Sequence, residues 1–341
     1  MRKHYIEYLR VIAMFAVVAI HVCIAGLSSF ANHSMFDAVF YSSVRNIFHF
    51  AVPVFFMISG ALMLSPAKEL PIKKLLRRYL LKYGLVILVF GWGFAAIERY
   101  FVSHTVSVDL VTGSFVDMLT GKSWDHMWYM YALFGTMLAV PILRLITAHC
   151  MKNGITYFVI IFSLFLSVIP LAEYYFRFKL GVTLPFNSIY CFYMLLGYWI
   201  DSGDIFISKK LSVLLMALLF PIIVGLTILQ QVCQWDTELL FAYFSPLVGM
   251  LSVGVFSFFR NMETILYEKP TPRWILFCGK YSFGVYIIHM FWINIAYKLL
   301  KINPFHFNSI LSFLGLWITA SLLSIITSWL MKHIPLLKKI V

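Results

Sequence analysis

The sequence predicts an all-α protein, a polytopic integral membrane protein built as a bundle of about ten transmembrane helices. The 341 residues are 62% hydrophobic and only 12% charged, with a mean hydropathy of +0.88. Soluble domains have about 45 to 50% apolar and about 25% charged residues, so this chain has too few polar residues to cover a water-facing surface. The apolar residues also fall into runs of about 20, the length that a helix needs to cross a bilayer.

Ten apolar runs are predicted to be the membrane spans. Their approximate bounds are 8–30, 44–64, 80–101, 126–147, 155–174, 186–202, 211–232, 239–259, 277–297 and 308–331. The first run is longer than the apolar core of a signal peptide and more spans follow it, so we interpret it as a retained helix. The sixth is the shortest. No repeat or long linker interrupts the series, so residues 1–341 are predicted to be a single transmembrane domain with no fused soluble domain.

The distribution of positive charge predicts the orientation of the bundle. Most of the 27 lysines and arginines lie in segments on the N-terminal side of the predicted membrane, Arg2, Lys3 and Lys269 among them. Cytoplasmic loops of membrane proteins accumulate these residues. With an even number of spans, both termini are predicted to be cytoplasmic (N-in and C-in). This bias also accounts for most of the net charge of +13, so no nucleic acid partner is expected.

The first span contains two polar interruptions, Arg10 and His21. Eleven helical steps turn about 1100° and rise about 16 Å, so the two side chains share one face of the helix. A titratable group inside hydrocarbon is costly and is therefore a functional candidate. The alternatives are that Arg10 anchors the helix at the interface and that His21 makes a polar contact between helices.

A dense basic stretch, KKLLRRYLLK, lies where the second span meets the third. One interpretation is a loop that touches anionic lipid headgroups. The other is a site that binds the phosphates of a nucleotide-like donor, because guanidinium and ammonium groups suit phosphate oxygens. The candidate donor-binding residues are Lys74, Arg77, Arg78 and Lys82.

Polar groups in three other spans are candidates for lining an acceptor pocket. Residues 282, 286 and 289 fall on one stripe of the ninth span. The HMWY segment that begins the fourth span also suits an aromatic belt at the membrane interface, and Ser59 with Gly60 suits close helix packing. The candidates are Ser59, His126, Trp128, Tyr129, Ser282, Tyr286 and His289.

The sequence also lacks the signatures of several other classes. The central portions of the spans contain no Asp or Glu, whereas ion-coupled transporters usually keep intramembrane carboxylates. There is no HExxH, P-loop or GxSxG motif and no paired-carboxylate arrangement of a glycosidase. The five cysteines are scattered and predict neither a disulfide framework nor a metal cluster.

Four motifs, in order along the chain, resemble those of the membrane-bound acyltransferase family 3. That family has Arg or Lys and then His in the first span, FFxxSG in the second, His-Leu-Trp-aromatic at the start of the fourth, and S-x-G-x-Y-x-x-H near the end. The matching residues are Arg10, His21, Phe55, Phe56, Ser59, Gly60, His126, Met127, Trp128, Tyr129, Ser282, Gly284, Tyr286 and His289. The resemblance covers essentially the whole chain.

Within the family, the sequence VPVFFMISG around Pro53 is most similar to that of stand-alone enzymes of the enterobacterial common antigen O-acetyltransferase type. The family's Arg-x-x-Arg pair entering the third span aligns either with Lys74 and Arg77 or with Arg78 and Lys82. The sequence therefore departs from the family at the residues expected to bind the donor.

The resemblance implies a multi-pass O-acyltransferase of the bacterial cytoplasmic (inner) membrane. It implies transfer of an acetyl group from cytoplasmic acetyl-CoA, a co-substrate, to a hydroxyl of a cell-surface polysaccharide or lipid-linked oligosaccharide. No bound cofactor and no metal are expected, and the expected partners are acyl-CoA, the glycan acceptor and membrane lipid. His21 is expected at the reaction centre, as general base or acyl carrier, and Arg10 on the donor side.

Two alternatives remain at this stage. The chain could be a glycan exporter or flippase, since the shortage of intramembrane carboxylates weakens only the ion-coupled version of that function. It could also be an O-acyltransferase that uses succinyl-CoA or another acyl-CoA, a choice that depends on the size of the donor pocket.

Overall fold

A computed structural model of the chain describes residues 3–184, 186–268, 270–335 and 337–341. The described residues form helices, turns and short extended segments, with no strand among them. We number the principal helices α1 (His4–Ser29), α2 (Met35–Phe48), α3 (Ala51–Met63), α4 (Ile72–Ser103), α5 (Val108–Leu119), α6 (Asp125–His149), α7 (Lys152–Phe176), α8 (Ile189–Ser202), α9 (Lys209–Val232), α10 (Pro246–Asn261), α11 (Arg273–Leu299) and α12 (Ser309–Met331).

The polytopic all-α prediction is confirmed, with a correction at the sixth span. Across the described ranges, nine helical segments are long and apolar enough to cross a membrane, α2 and α3 together forming one of them. The predicted sixth span is α8, a helix of 14 residues. At 1.5 Å per residue it is about 21 Å long, which is too short to cross about 30 Å of hydrocarbon as a helix.

The chain between α7 and α8 contributes to the sixth crossing. Tyr174, near the end of α7, donates a hydrogen bond to Asp236, beyond the end of α9. Asp201, near the end of α8, contacts Lys3 at the opposite end of the bundle. Between Tyr174 and Asp201 the chain thus passes from one end of the bundle to the other. We call the end that contains Lys3 the N-terminal face, and the other end the distal face.

The basic stretch is helical, which corrects the interpretation of it as a loop. The third span was expected to begin near residue 80, but α4 begins at Ile72 and includes all of KKLLRRYLLK. Two of its turns, Leu76–Leu80 and Ile87–Gly91, are π-helical. Of the positive residues used to predict the orientation, Arg2 and Lys269 lie outside the described residues.

Helix α1 is the centre of the bundle. It packs against α2, α3, α10, α11 and α12, and most of its length is buried. Its start is fixed by charged groups of two other helices: Tyr5 donates its hydroxyl to Asp201 at 2.7 Å, and the Tyr5 amide donates to Glu263 at 2.7 Å. Because a helix leaves its first amide groups without intrahelical partners, Glu263 acts as an external cap that sets the depth of α1.

Two glycines allow α3 and α8 to pack backbone against backbone. A Cβ atom on Gly60 would lie 1.9 Å from the carbonyl oxygen of Met194, and one on Gly197 would lie 2.1 Å from that of Met57. Only hydrogen fits at either position. This close approach buries α8 against the centre of the bundle and explains how so short a helix is held there.

Candidate active site

Three histidines from three helices meet inside the bundle. His21 comes from α1, His126 from the first turn of α6 and His289 from α11. The ring centroids are 4.8 Å apart for His21 and His289, 5.1 Å for His126 and His289, and 6.3 Å for His21 and His126. His126 and His289 are buried, whereas His21 is partly accessible. The helical rise places His21 about 25 Å from the start of α1 and about 12 Å from its end, so the cluster lies nearer the distal face.

The hydrogen bonds of His289 assign its tautomer. Its Nδ1 lies 2.7 Å from the carbonyl oxygen of Tyr286 and 3.2 Å from that of Val285, both on its own helix. Carbonyl oxygens only accept, so Nδ1 carries the proton. In the neutral ring, the Nε2 of His289 is then an acceptor, and it lies 3.2 Å from Nδ1 of His21.

The tautomer of His21 follows from the same argument. Its Nδ1 lies 2.9 Å from the carbonyl oxygen of Val17, so Nδ1 carries the proton and donates to Val17 and to His289. In the neutral ring, Nε2 of His21 therefore holds a free lone pair. No described residue donates a hydrogen bond to that atom. His21 is thus held at Nδ1 and open at Nε2, which is the arrangement a proton acceptor or nucleophile requires.

His126 joins α6 to α11. Its Nε2 donates to the carbonyl oxygen of Ile287 at 3.1 Å, and the Tyr286 hydroxyl donates to the carbonyl oxygen of His126. These two bonds, in opposite directions, fix the start of α6 beside the histidine cluster. The Nδ1 of His126 is buried and has no hydrogen-bond partner among the described residues. An orphan acceptor of this kind costs about 1 to 3 kcal/mol unless a ligand or water supplies a donor.

A small cavity lies against His21. Its volume is about 20 Å³, enough for about one water molecule. The cavity is lined by Val17, Ile20, His21, Val52, Phe55, His126, Trp128, Tyr129, Tyr243 and Tyr286. The hydroxyls of Tyr129 and Tyr243 and the indole N–H of Trp128 have no hydrogen-bond partner among the described residues. The cavity wall therefore offers donors to a substrate.

Sequence reasoning missed Tyr243 and Tyr190. Tyr243 lies before α10, with its ring 5.2 Å from that of Trp128. Tyr190, at the start of α8, lies 5.8 Å from the same indole ring and 4.8 Å from the ring of Phe56. Neither tyrosine belongs to a motif of fixed spacing, and the only signal available was an aromatic residue near the end of an apolar run.

A second cavity begins at Tyr190. It has a volume of about 350 Å³, within the range typical of ligand pockets, and its walls come from α7, described residues of the connection to α8 and the start of α8. Its polar lining includes Glu173, Thr183, Asn187 and Ser188. Because Tyr190 and Trp128 are in contact, an aromatic row connects this cavity with the one at His21.

Arg10 lies far from the histidines, at the N-terminal face. Its guanidinium donates to Glu7, one turn earlier, at 3.2 Å and is 27% exposed. Ser282 and Ser59 also lie outside the His21 cavity lining: Ser282 donates to the carbonyl oxygen of Gly279 at 2.9 Å, and Ser59 donates to that of Phe55 at 2.9 Å. The structure brings five of the predicted pocket residues together: His126, Trp128, Tyr129, Tyr286 and His289. Ser59 lies about one helical turn from Phe55 of the cavity lining, and Ser282 lies about two turns from His289.

The four predicted donor-binding residues separate into two groups. Lys74, Arg77 and Arg78 are exposed on the outer side of α4. Lys82 turns inward, with its ammonium nitrogen 4.4 Å from the centre of the Phe283 ring on α11. Within the described ranges, no group of three or more His, Cys, Asp or Glu side chains is placed to hold a metal ion.

The fold and the site define a polytopic membrane protein with a buried histidine centre. Residues 3–333 match the family model described as an acyltransferase domain, that of acyltransferase family 3, so the chain belongs to that family and is an acyltransferase. No curated protein and no solved structure matches the chain. The family assignment expected from the four motifs is thereby confirmed.

Proposed function

We propose that this acyltransferase moves an acetyl group from acetyl-CoA to a hydroxyl of a cell-surface or lipid-linked glycan, in the manner of stand-alone enzymes of the enterobacterial common antigen O-acetyltransferase type. The observation that supports this proposal best is the state of His21: Nδ1 is held by the Val17 carbonyl and His289, and Nε2 is open beside an aromatic-lined cavity. Aromatic walls with a few unpaired donors suit a sugar ring and its hydroxyls.

The reaction can be written with the groups present. Nε2 of His21 accepts the proton of the acceptor hydroxyl as the oxygen attacks the thioester carbonyl. The C–S bond then breaks, and the proton passes from the imidazolium to the departing thiolate of CoA. Val17 and His289 stabilise the imidazolium through Nδ1–H, the role that a carboxylate has in a hydrolase triad.

The free donors of the cavity wall suit the charge that develops in this reaction. When the hydroxyl attacks, the carbonyl oxygen of the thioester becomes negative and needs hydrogen-bond donors. The hydroxyls of Tyr129 and Tyr243 line the cavity beside His21. We assign this role to Tyr129, because its ring is buried and packed against Tyr286, which fixes its direction.

The proposed sidedness follows from the distribution of charge and aromatic residues. The exposed cations of α4 and Arg10 lie at the N-terminal face, which we assign to the cytoplasm on the positive-inside rule. There they would attract the anionic donor. The cavity with Tyr190 and Glu173 lies toward the distal face, so we assign it to the acceptor. Donor and acceptor then meet at His21 from opposite sides of the membrane.

Glycan analysis tests the function itself. Surface glycan from cells with the intact gene should contain an O-acetyl group that is missing from cells producing His21→Ala at equal level. A succinyl group in its place would change the donor but keep the reaction. Unaltered acylation together with glycan trapped inside the cell would favour export and overturn the proposal.

A further inference from the structure

Three lysines from three segments lie beside one turn of α11 at the N-terminal face, where the charges of Lys82 and Lys332 repel each other. Lys82 of α4 lies over the ring of Phe283, while Lys280 of α11 and Lys332, just after α12, lie over the ring of Tyr281. The distances from the ammonium nitrogens to the ring centres are 4.4, 5.2 and 4.8 Å in that order. Lys332 also donates to the carbonyl oxygen of Lys280 at 2.6 Å, which ties the end of α12 to α11. We call these three residues the lysine cluster.

None of the three lysines belongs to an ion pair within 4 Å in the described part of the chain. The ion pairs recorded there use other cations, namely Lys3, Arg10, Arg99 and Lys298. Lys82 and Lys332 are partly buried. Burial, and then the charge of Lys280, lower the pKa of Lys332 from its ordinary value. Holding like charges together in a partly desolvated place is unfavourable unless an anion joins them.

The distance from the lysine cluster to the histidines suits one particular anion. Lys280 and His289 are nine residues apart on α11, a rise of about 14 Å. The arm of acyl-CoA between its diphosphate and its sulfur contains two amides and about twelve bonds, like four extended peptide residues, and so spans about 14 Å. Phosphates bound at the lysine cluster would therefore place the thioester at the depth of the histidines.

We propose that Lys82, Lys280 and Lys332 form the binding site for the phosphates of the acyl-CoA donor. This inference rests on the proposed function. Two of the three lysines, Lys280 and Lys332, lie outside the basic stretch. Arg77 and Arg78 then contribute only long-range electrostatic attraction of the anionic donor. Phosphate is also the headgroup chemistry of anionic lipids, so the test must separate these two sources.

Equilibrium binding of CoA to the full chain in nanodiscs of phosphatidylcholine provides the test. Lys280→Gln with Lys332→Gln should raise the Kd for CoA and for adenosine 3′,5′-bisphosphate by about tenfold or more, because each ammonium removed ends a charge-assisted contact. Pantetheine, which has no phosphate, should bind equally to both proteins. Lys338→Gln with Lys339→Gln is the matched control, since both side chains are exposed on the same C-terminal segment. If the double variant does not fold, the single change of the exposed Lys280 to Gln serves instead.

The possible failures are distinguishable. If the unaltered protein does not bind CoA, the acyl-CoA donor itself is wrong. If the unaltered protein binds CoA and the Lys280 and Lys332 variants bind CoA equally well, the assignment to the lysine cluster is wrong. The assignment is also wrong if Arg77→Gln with Arg78→Gln weakens CoA binding more than the Lys280 and Lys332 changes do. A variant that keeps its affinity for CoA but loses a preference for phosphatidylglycerol would show a lipid site and also overturn the inference.

Discussion

Nε2 of His289 lies 3.2 Å from Nδ1 of His21, and the carbonyl oxygens of Tyr286 and Val285 assign the proton of His289 to its other nitrogen. This contact joins α1 to α11 across a separation of 268 residues in sequence. Through this contact His289 orients the ring of His21, which presents a free Nε2. The predictions about the reaction start from this pair.

His21→Ala should abolish acyl transfer while the protein still inserts and accumulates. General-base assistance is typically worth about 10² to 10⁴-fold, and the lone pairs that remain in the variant, at His126 Nδ1 and His289 Nε2, belong to rings held on other helices. Acyl transfer to glycan is measured in membranes in which immunoblotting shows equal protein. Substantial activity in a well-expressed variant would remove His21 from the mechanism.

His289 is proposed as a positioning residue, and two substitutions separate that role from simple packing. Gln has a carbonyl oxygen that can accept from Nδ1–H of His21, whereas Leu has none. We expect His289→Leu to lower kcat by about 10 to 100-fold, as for other orienting partners of a reactive imidazole, and His289→Gln to recover much of it. KM for the donor should stay constant in both. Equal kcat in the two variants would indicate that only ring volume matters.

Tyr129→Phe should lower kcat by about 10² to 10³-fold with little change in KM, the signature of a donor used mainly in the transition state. Steady-state kinetics in detergent or nanodiscs measure both constants. Tyr198→Phe, which removes a hydroxyl outside the lining of the His21 cavity, is the control. A rise in KM with kcat unchanged would place the Tyr129 hydroxyl in ground-state binding and not in oxyanion stabilisation.

Gly60→Ala and Gly197→Ala should each reduce folded protein strongly. The new Cβ would meet a backbone carbonyl oxygen at 1.9 or 2.1 Å, so α3 and α8 must separate. Overpacking usually costs about 1 to 3 kcal/mol, and we expect a destabilisation in that range or above it. Gly135→Ala on α6 is the control, because nothing lies within 4 Å of its added Cβ. Fluorescence-detected gel filtration gives the folded fraction. A folded fraction equal to that of the control would mean that the two helices are not packed this closely.

Sidedness has its own experiment. In sealed proteoliposomes sorted by orientation, acetyl-CoA added on the side of the N-terminus should acetylate an acceptor confined to the other side, because the lysine cluster and the Tyr190 cavity lie at opposite faces. Mass spectrometry of the recovered acceptor detects the added acetyl group. Transfer only when both substrates share one compartment would contradict the trans-bilayer route, even if the acyltransferase reaction itself is retained.

The sequence by itself determined the all-α membrane class, the approximate positions of the spans and the family. These properties depend on local quantities: the length of an apolar run, the rise per helical residue and motifs of fixed spacing. The common face of Arg10 and His21 could be inferred in the same way, because both lie on one helix. The predicted sixth span, 186–202, was inaccurate because an apolar run does not show where its helix begins, and α8 begins only at Ile189.

Only the tertiary structure decided which residues share the site. The meeting of His21, His126 and His289, the inclusion of Tyr243 and the convergence of Lys82, Lys280 and Lys332 all join segments that are distant in sequence. The tautomer of His21 likewise depends on a contact with another helix, and the separation of Lys82 from the exposed Arg77 and Arg78 depends on which side of α4 faces α11. Such contacts are set by how helices pack, for which Gly60 and Gly197 provide the closest approach, and a single sequence read along its length contains no measure of that packing.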